Sequence, residues 1–302
     1  MRAYSMGIPL CVLLGSSASV ACSSTSNTSE GQPAPPDAST GTPVDVDGGV
    51  VTNPSDASRD AAGAGELGFV FAISDSTTAG ADYRAGAFFA RVTGVDTTTT
   101  TKTVGPCEVK KVGSGTAPAE VDVSAGTIKI SGGTKAIDLI PGADKTYDPV
   151  SGSAVLWNGG ETLTVAGVGK DVPSFTTSLV APSKLTVTMP TLPSSAASLN
   201  VVRSAPFSAT WTGASSGTVV LYFDAVTASN AFSATCTFKA SAGSAQVPAA
   251  AFADFPAVDG SFNFYVKEVG VASPPGWTIR FTASSAMVDS SGAGATGAAS
   301  FQ

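Results

Sequence analysis

From Leu67 to the C-terminus, apolar and polar residues alternate with a period of two. In "AFSATCTFK", Phe232, Ala234, Cys236 and Phe238 share one face, while Ser233, Thr235, Thr237 and Lys239 share the other. That spacing is the mark of a strand with one buried side. The same alternation groups Leu185, Val187 and Met189, then Phe207, Ala209 and Trp211, then Phe262, Phe264 and Val266, and then Trp277, Ile279 and Phe281. Further strands are expected over 67–74, 87–92, 107–112, 127–130 and 162–165. Turn residues such as Gly132-Gly133, Asn158-Gly159-Gly160 and Pro274-Pro275-Gly276 separate them. The pattern predicts an all-β protein of antiparallel sheets with one wet face. A short helical turn after Pro248, in "VPAAAFADF", is the exception.

About twelve strands are more than one small sandwich holds, and Pro182, Pro190 and Pro193 punctuate the chain near its middle. The expectation is therefore two consecutive β-sandwich domains, 66–182 and 183–302. The second has the size of an immunoglobulin-like sandwich. The Cys…Trp…Cys spacing of true immunoglobulin domains is missing, because Trp211 precedes Cys236 and no cysteine follows. "Ig-like" is thus an architectural expectation, and fold alone implies no activity. The glycine-rich end around Gly292 is expected to form a flexible tail.

A different pattern governs the start. Arg2 precedes an apolar run, Met6 to Gly15, of about ten residues, half the roughly twenty needed to span a bilayer. Residues 1–21 read as a signal peptide, with small residues at Ser19, Val20 and Ala21 before Cys22. From Ser23 to Gly65 there is no aromatic residue, and there are five prolines, so the segment cannot bury enough apolar surface to offset the entropy of ordering. Residues 22–65 are expected to be a disordered linker with a coil span of about 35–40 Å.

Charge sharpens this division. Residues 23–65 carry six acids and one base, and residues 66–302 carry 17 acids and 14 bases. The body is nearly neutral and has no basic stripe, so the phosphate neutralisation behind nucleic-acid affinity has no source. The chain contains no histidine, which removes the commonest general base and metal ligand together with Ser-His and Cys-His nucleophile pairs.

Several motifs lose their meaning in context. "GASSG" (Gly213 to Gly217) fits a nucleophile elbow, but that device needs a strand-to-helix turn and a histidine, so a hairpin loop is expected. "GAGATG" (Gly292 to Gly297) fits a dinucleotide fingerprint but has no following helix or βαβ unit. Asp45-Val46-Asp47-Gly48 begins like a calcium loop and lacks the remaining ligands. No catalytic residue, cofactor or metal site is implied. A hydrolase using two carboxylates would need no histidine, and acids such as Glu108, Glu120, Glu161 and Glu268, scattered among polar strand and turn positions, are open to that role. Cys107 and Cys236 are the cysteines of the body; an exported chain can bridge them, while the apolar face around Cys236 equally suits a buried thiol. Tyr222 and Tyr265, opposite their strands' apolar faces, and Trp157, beside a glycine turn, are candidates for a sugar-stacking surface.

The stretch Ser19-Val20-Ala21-Cys22 resembles the lipobox of bacterial lipoproteins, although Ser19 stands where that family usually has leucine. The resemblance implies a lipid on the Cys22 sulfur and cleavage before it. Ser23, in place of the aspartate that signals inner-membrane retention, implies an outer-membrane or cell-surface destination. An ordinary secretory cut that leaves a cysteine is the alternative. "WTG" (from Trp211), "GGETLTV" (from Gly159) and "CTFKASAGSAQVPAAAF" (from Cys236) are similar to uncharacterised β-rich lipoproteins of Gram-negative bacteria, a resemblance that carries no activity. The expectation is an exported, lipid-anchored protein with a non-enzymatic structural or binding role. Its partners are the membrane and a glycan or protein at the cell surface, with no nucleic acid. A carbohydrate-binding or adhesive module is the alternative. Oligomeric state is open.

Overall fold

A computed structural model describes residues 65–193, 197–213 and 216–302. The signal peptide, Cys22 and the linker to residue 64 lie outside the described residues. The first ten strands are Gly65–Thr77 (β1), Gly80–Thr93 (β2), Thr99–Val104 (β3), Cys107–Val112 (β4), Ala119–Asp122 (β5), Ile128–Ser131 (β6), Ile137–Leu139 (β7), Val150–Gly152 (β8), Thr162–Gly167 (β9) and Phe175–Val180 (β10). The rest are Thr186–Met189 (β11), Leu199–Val201 (β12), Phe207–Thr212 (β13), Thr218–Val226 (β14), Ala231–Lys239 (β15), Ser244–Val247 (β16), Asp259–Ala272 (β17), Thr278–Ala286 (β18) and Thr296–Phe301 (β19). Two 3-10 turns, Ala240–Ala242 and Ala249–Ala251, interrupt them, the second just after Pro248 as its sequence suggests.

The protein is all-β. Its backbone is one long sheet in the order β3-β4-β15-β14-β17-β18-β1-β2-β5, with β8 added to β2, β19 to β17, and β12 to β19. Two small sheets, β10-β9-β6-β7 and β11-β13-β16, cover one of its faces. Pairing is mostly antiparallel, but β1 runs parallel to β18 and β12 parallel to β19. Each end of the long sheet forms a sandwich with one small sheet.

Two cores result. The first packs Leu221, Phe223, Phe264 and Phe301 with Trp211 and Val247. Phe223 sits edge-on to both Phe207 and Phe252, with ring centroids 5.1 Å apart in each pair. The second core packs Val70, Phe89, Ile279 and Phe281 with Ile128, Leu163 and Phe175. Burying each phenylalanine contributes about 1.5–3 kcal/mol, and edge-to-face contacts add about 0.5–1.5.

The two consecutive domains expected at 66–182 and 183–302 meet a different organisation. The two cores fall near that division, yet the halves exchange strands across it. The β3–β4 hairpin of the first half packs in the second half's core through Cys107 and Val109. In return, Trp277, Ile279 and Phe281 complete the core of the first half. The β1–β18 ladder joins the halves through register pairs from Leu67↔Thr278 to Ile73↔Ser284. All described residues fall in one compact unit. Strand alternation reports which residues of a strand are buried; it carries no information about the sheet that buries them.

Three local expectations are corrected. The end around Gly292 is no loose tail: β19 inserts beside β17, and Ala295, Ala299 and Phe301 are buried in the first core. "GASSG" stands between β13 and β14, strands that belong to two different sheets and do not pair, so the expected hairpin is not formed. Met189 does not share the buried face of Leu185 and Val187. A register shift between Val187 and Met189 turns it outward, to 46% exposure.

Candidate functional site

The side of the long sheet turned away from both cores is the broadest candidate surface. In β14, Val219, Leu221, Phe223 and Ala225 point into the first core, so Val220, Tyr222 and Asp224 point to the opposite face. Register carries that face across the neighbouring strands. Tyr222 lies beside Asn263, and Val220 beside Tyr265. Arg280 lies beside Phe69, which in turn lies beside Phe88. Phe69 stacks on Phe71, with centroids 6.3 Å apart and planes 28° apart. Tyr222 and Tyr265 are half-buried here. Trp157, the third stacking candidate, is buried in the second core, and its Nε1–H donates to the Ser285 hydroxyl at 3.2 Å. It presents no ring to a sugar.

This face also holds ions in poorly solvated places. Burial pushes the Asp224 carboxyl up from its ordinary value, an effect partly offset by the hydrogen bond it accepts from the Ser261 hydroxyl. Burial lowers Lys267, the charge of Arg280 lowers it further, and Glu108 opposes both. Burial also raises Asp75; the Ala286 N–H, donating to its carboxylate at 2.6 Å, works against this, and the charge of Asp82 adds to it. Asp75 and Asp82 are directly opposed in the β1–β2 ladder.

A group whose folded-state pKa is raised favours the fold in its protonated form. Its contribution is complete below the ordinary aspartate range and is lost as the pH rises through the folded value. An Asp75→Asn variant keeps an acceptor for Ala286 and removes the buried charge. Its melting temperature is expected to exceed that of the wild type at pH 7, with the difference disappearing as the pH falls below the ordinary aspartate range. Thermal melts of both proteins across pH measure this, and a variant less stable at neutral pH would contradict it.

The four glutamates open to hydrolysis are dispersed. Glu108 is exposed and pairs with Lys110 at 3.1 Å. Glu120 is on β5 at the far edge of the long sheet. Glu161 accepts the Asn158 and Gly159 N–H groups at 2.8 and 2.7 Å, bracing the turn before β9. Glu268 is half-buried on β17. The structure does not bring these acids together as a pair. The opposed carboxylates are Asp75 and Asp82, which alternation could not reveal because cross-strand register depends on the turn between β1 and β2. A cavity lined by Ile130, Lys135, Leu156, Trp157 and Leu163 holds about 10 Å³, room for about one water. Among the described residues no three His, Cys, Asp or Glu side chains gather as a metal site.

Cys107 and Cys236 are joined by a disulfide. They oppose each other in the β4–β15 ladder with Cα atoms 3.9 Å apart, and both are buried. Their places in the sequence, on opposite sides of residue 183, conceal this. The exchange of β3–β4 into the other half's core brings them together.

These features define a disulfide-bonded, all-β protein of sandwich type whose long sheet presents an aromatic and polar outer face. Comparison with known proteins finds no matching family model, no matching curated protein and no matching solved structure.

Proposed function

We propose that the chain is an exported lipoprotein, with lipid on Cys22 and residues 23–64 as a spacer. On this reading it displays its all-β body at the outer membrane or cell surface, in a non-enzymatic structural or binding role. The observation that carries this reading is the Cys107–Cys236 bond. Disulfides persist in oxidising compartments and are rare where thiols are kept reduced, so a body whose two cysteines are paired fits export. It stands independently of the Ser19-Val20-Ala21-Cys22 junction, which supports both cleavage and lipidation. Two or more acyl chains hold a protein on a membrane durably, at about 0.8 kcal/mol per buried methylene. The non-enzymatic part of the reading is supported by the dispersal of the acids and by the structural duty of Glu161. A glycan-binding role for the outer face draws on Tyr222, Asn263 and Tyr265 lying close on adjacent strands.

In cells fed labelled fatty acid, the wild-type protein is expected to carry label and to sediment with membranes. Cys22→Ala is expected to lose the label and move to the soluble fraction. Unlabelled wild type, together with a variant that stays on the membrane, would overturn the anchor.

A further inference from the structure

The long sheet ends at β3, which pairs with β4 along one side. The phase of the neighbouring ladder shows which backbone groups β3 turns outward. In an antiparallel pair each residue directs both its N–H and its C=O to the same neighbour, and successive residues alternate. Thr237 N–H donates to the Pro106 carbonyl at 3.0 Å, so the β4–β15 bonds fall at 106↔237 and skip Cys107–Cys236. Cys107 therefore bonds toward Val104 of β3, Val109 toward Lys102, and Lys111 toward Thr100. The Gly113 N–H donating to the Thr98 carbonyl at 2.9 Å continues the same phase. Thr101 and Thr103 are left with their backbone donors and acceptors aimed away from the sheet, as is the Thr99 carbonyl, while the Thr99 N–H is held by the Asp96 carboxylate.

Edges of this kind are normally blunted by charge, proline or a bulge. The opposite edge, β5, carries Glu120 and Asp122. The short edge strands β7 and β16 run into Pro141 and Pro248. In β3 the register with β4 is unbroken. Its one charge, Lys102, is on the side of Val109, with its ammonium held by Asp254. The lysine is engaged elsewhere, and beyond the Asp96 carboxylate held at Thr98 and Thr99 the outer side of the strand is threonine.

We propose that β3 is a homotypic docking edge, which pairs antiparallel with β3 of a second copy of this chain about a two-fold axis at Thr101. In that register Thr101 opposes itself and Thr99 opposes Thr103 of the second copy. Two bonds between the Thr101 backbones and one from each Thr103 N–H to the Thr99 carbonyl of the other copy give about four backbone hydrogen bonds. Threonine pairs are favourable cross-strand neighbours, and like charges directly opposite are not. Here Lys102 faces Thr100 of the second copy, so no like charges oppose. A six-residue edge buries less than the roughly 1,000 Å² of a stable interface. The pairing is accordingly weak in solution and populated where copies are concentrated, as on a membrane if the proposed anchor holds.

Sedimentation of the mature chain carrying Cys22→Ala tests the edge without reference to the lipid, so failure of the anchor and failure of the pairing are read separately. A concentration-dependent dimer is expected, reaching a substantial fraction as the concentration approaches millimolar. Thr101→Lys and Thr101→Asp each place like charges across the axis and should weaken it at least tenfold, with melting temperatures unchanged. Mixing the two variants should restore it. A wild-type chain that stays monomeric at millimolar concentration overturns the proposal, as does a dimer indifferent to both substitutions or a mixture that shows no recovery.

Discussion

Replacing Cys107 and Cys236 together by alanine is expected to lower the melting temperature by about 10–20 °C. The bond closes a loop of 129 residues. In the chain-entropy account, releasing such a loop in the unfolded state costs about 5 kcal/mol of stability. For a body of this size each kcal/mol corresponds to about 2–4 °C. The loop spans the exchange of strands between the halves, since it ties β4 to β15 inside the first core. Without it, docking the β3–β4 hairpin depends on burial of Val109 and on the ladder. Calorimetry of the oxidised protein, the reduced protein and the double variant would measure the effect. Reduction should reproduce the substitution. A shift of only a degree or two in both would show that the bond contributes little.

Cutting the chain between residues 182 and 183 is expected to leave neither part able to fold alone. A fragment ending at 182 loses Ile279, Phe281 and Ala283 from its core and exposes the side of β1 that pairs with β18. A fragment beginning at 183 loses β3 and β4, so Ser233 and Thr235 lose their ladder partners Lys110 and Glu108, and Cys236 has no cysteine to bond. The first loss removes several buried side chains and the second removes Cys107 and Val109, at about 1.5–3 kcal/mol for each large one, against a typical stability of about 5–15 kcal/mol for a whole domain. Circular dichroism and thermal melts of the separate fragments test this. A cooperative transition in either fragment alone would contradict the expectation, and one in each would establish two autonomous domains. The intact chain should melt with its cores coupled through the shared sheet.

The strands themselves were legible. The expected 107–112 is β4 to the residue, and Phe232, Ala234 and Cys236 are buried as their alternation requires. Where the pattern was weak, strands were missed. β3 is a run of threonines around Lys102 with no apolar alternation, and β5 is exposed throughout. Both are edge strands, which lack the buried face on which the two-residue period depends. β19 reads as a glycine- and alanine-rich end, yet it is held in place because small residues suit the close packing beside β17, with Phe301 closing the core.

The candidate surfaces divide in the same way. Tyr222 and Tyr265 lie on the sheet face that alternation assigned them, while Trp157, in a turn where no period applies, is buried. Asp75 and Asp82 acquire their relation through the β1–β2 register. That register is set by a turn, and no residue pattern on either strand records it.

By itself the sequence determined the all-β class and the strands with one buried face, the nearly neutral body beyond an acidic N-terminal segment, and the exclusion of histidine-dependent chemistry. These follow from local periodicity and composition, which need no knowledge of partners. Tertiary structure alone decided that two expected domains share one sheet, that Cys107 meets Cys236, and that β3 ends the sheet with threonine backbone groups turned outward. Each of these depends on which strand lies beside which, a choice made by burial and hydrogen bonding between residues up to 211 positions apart.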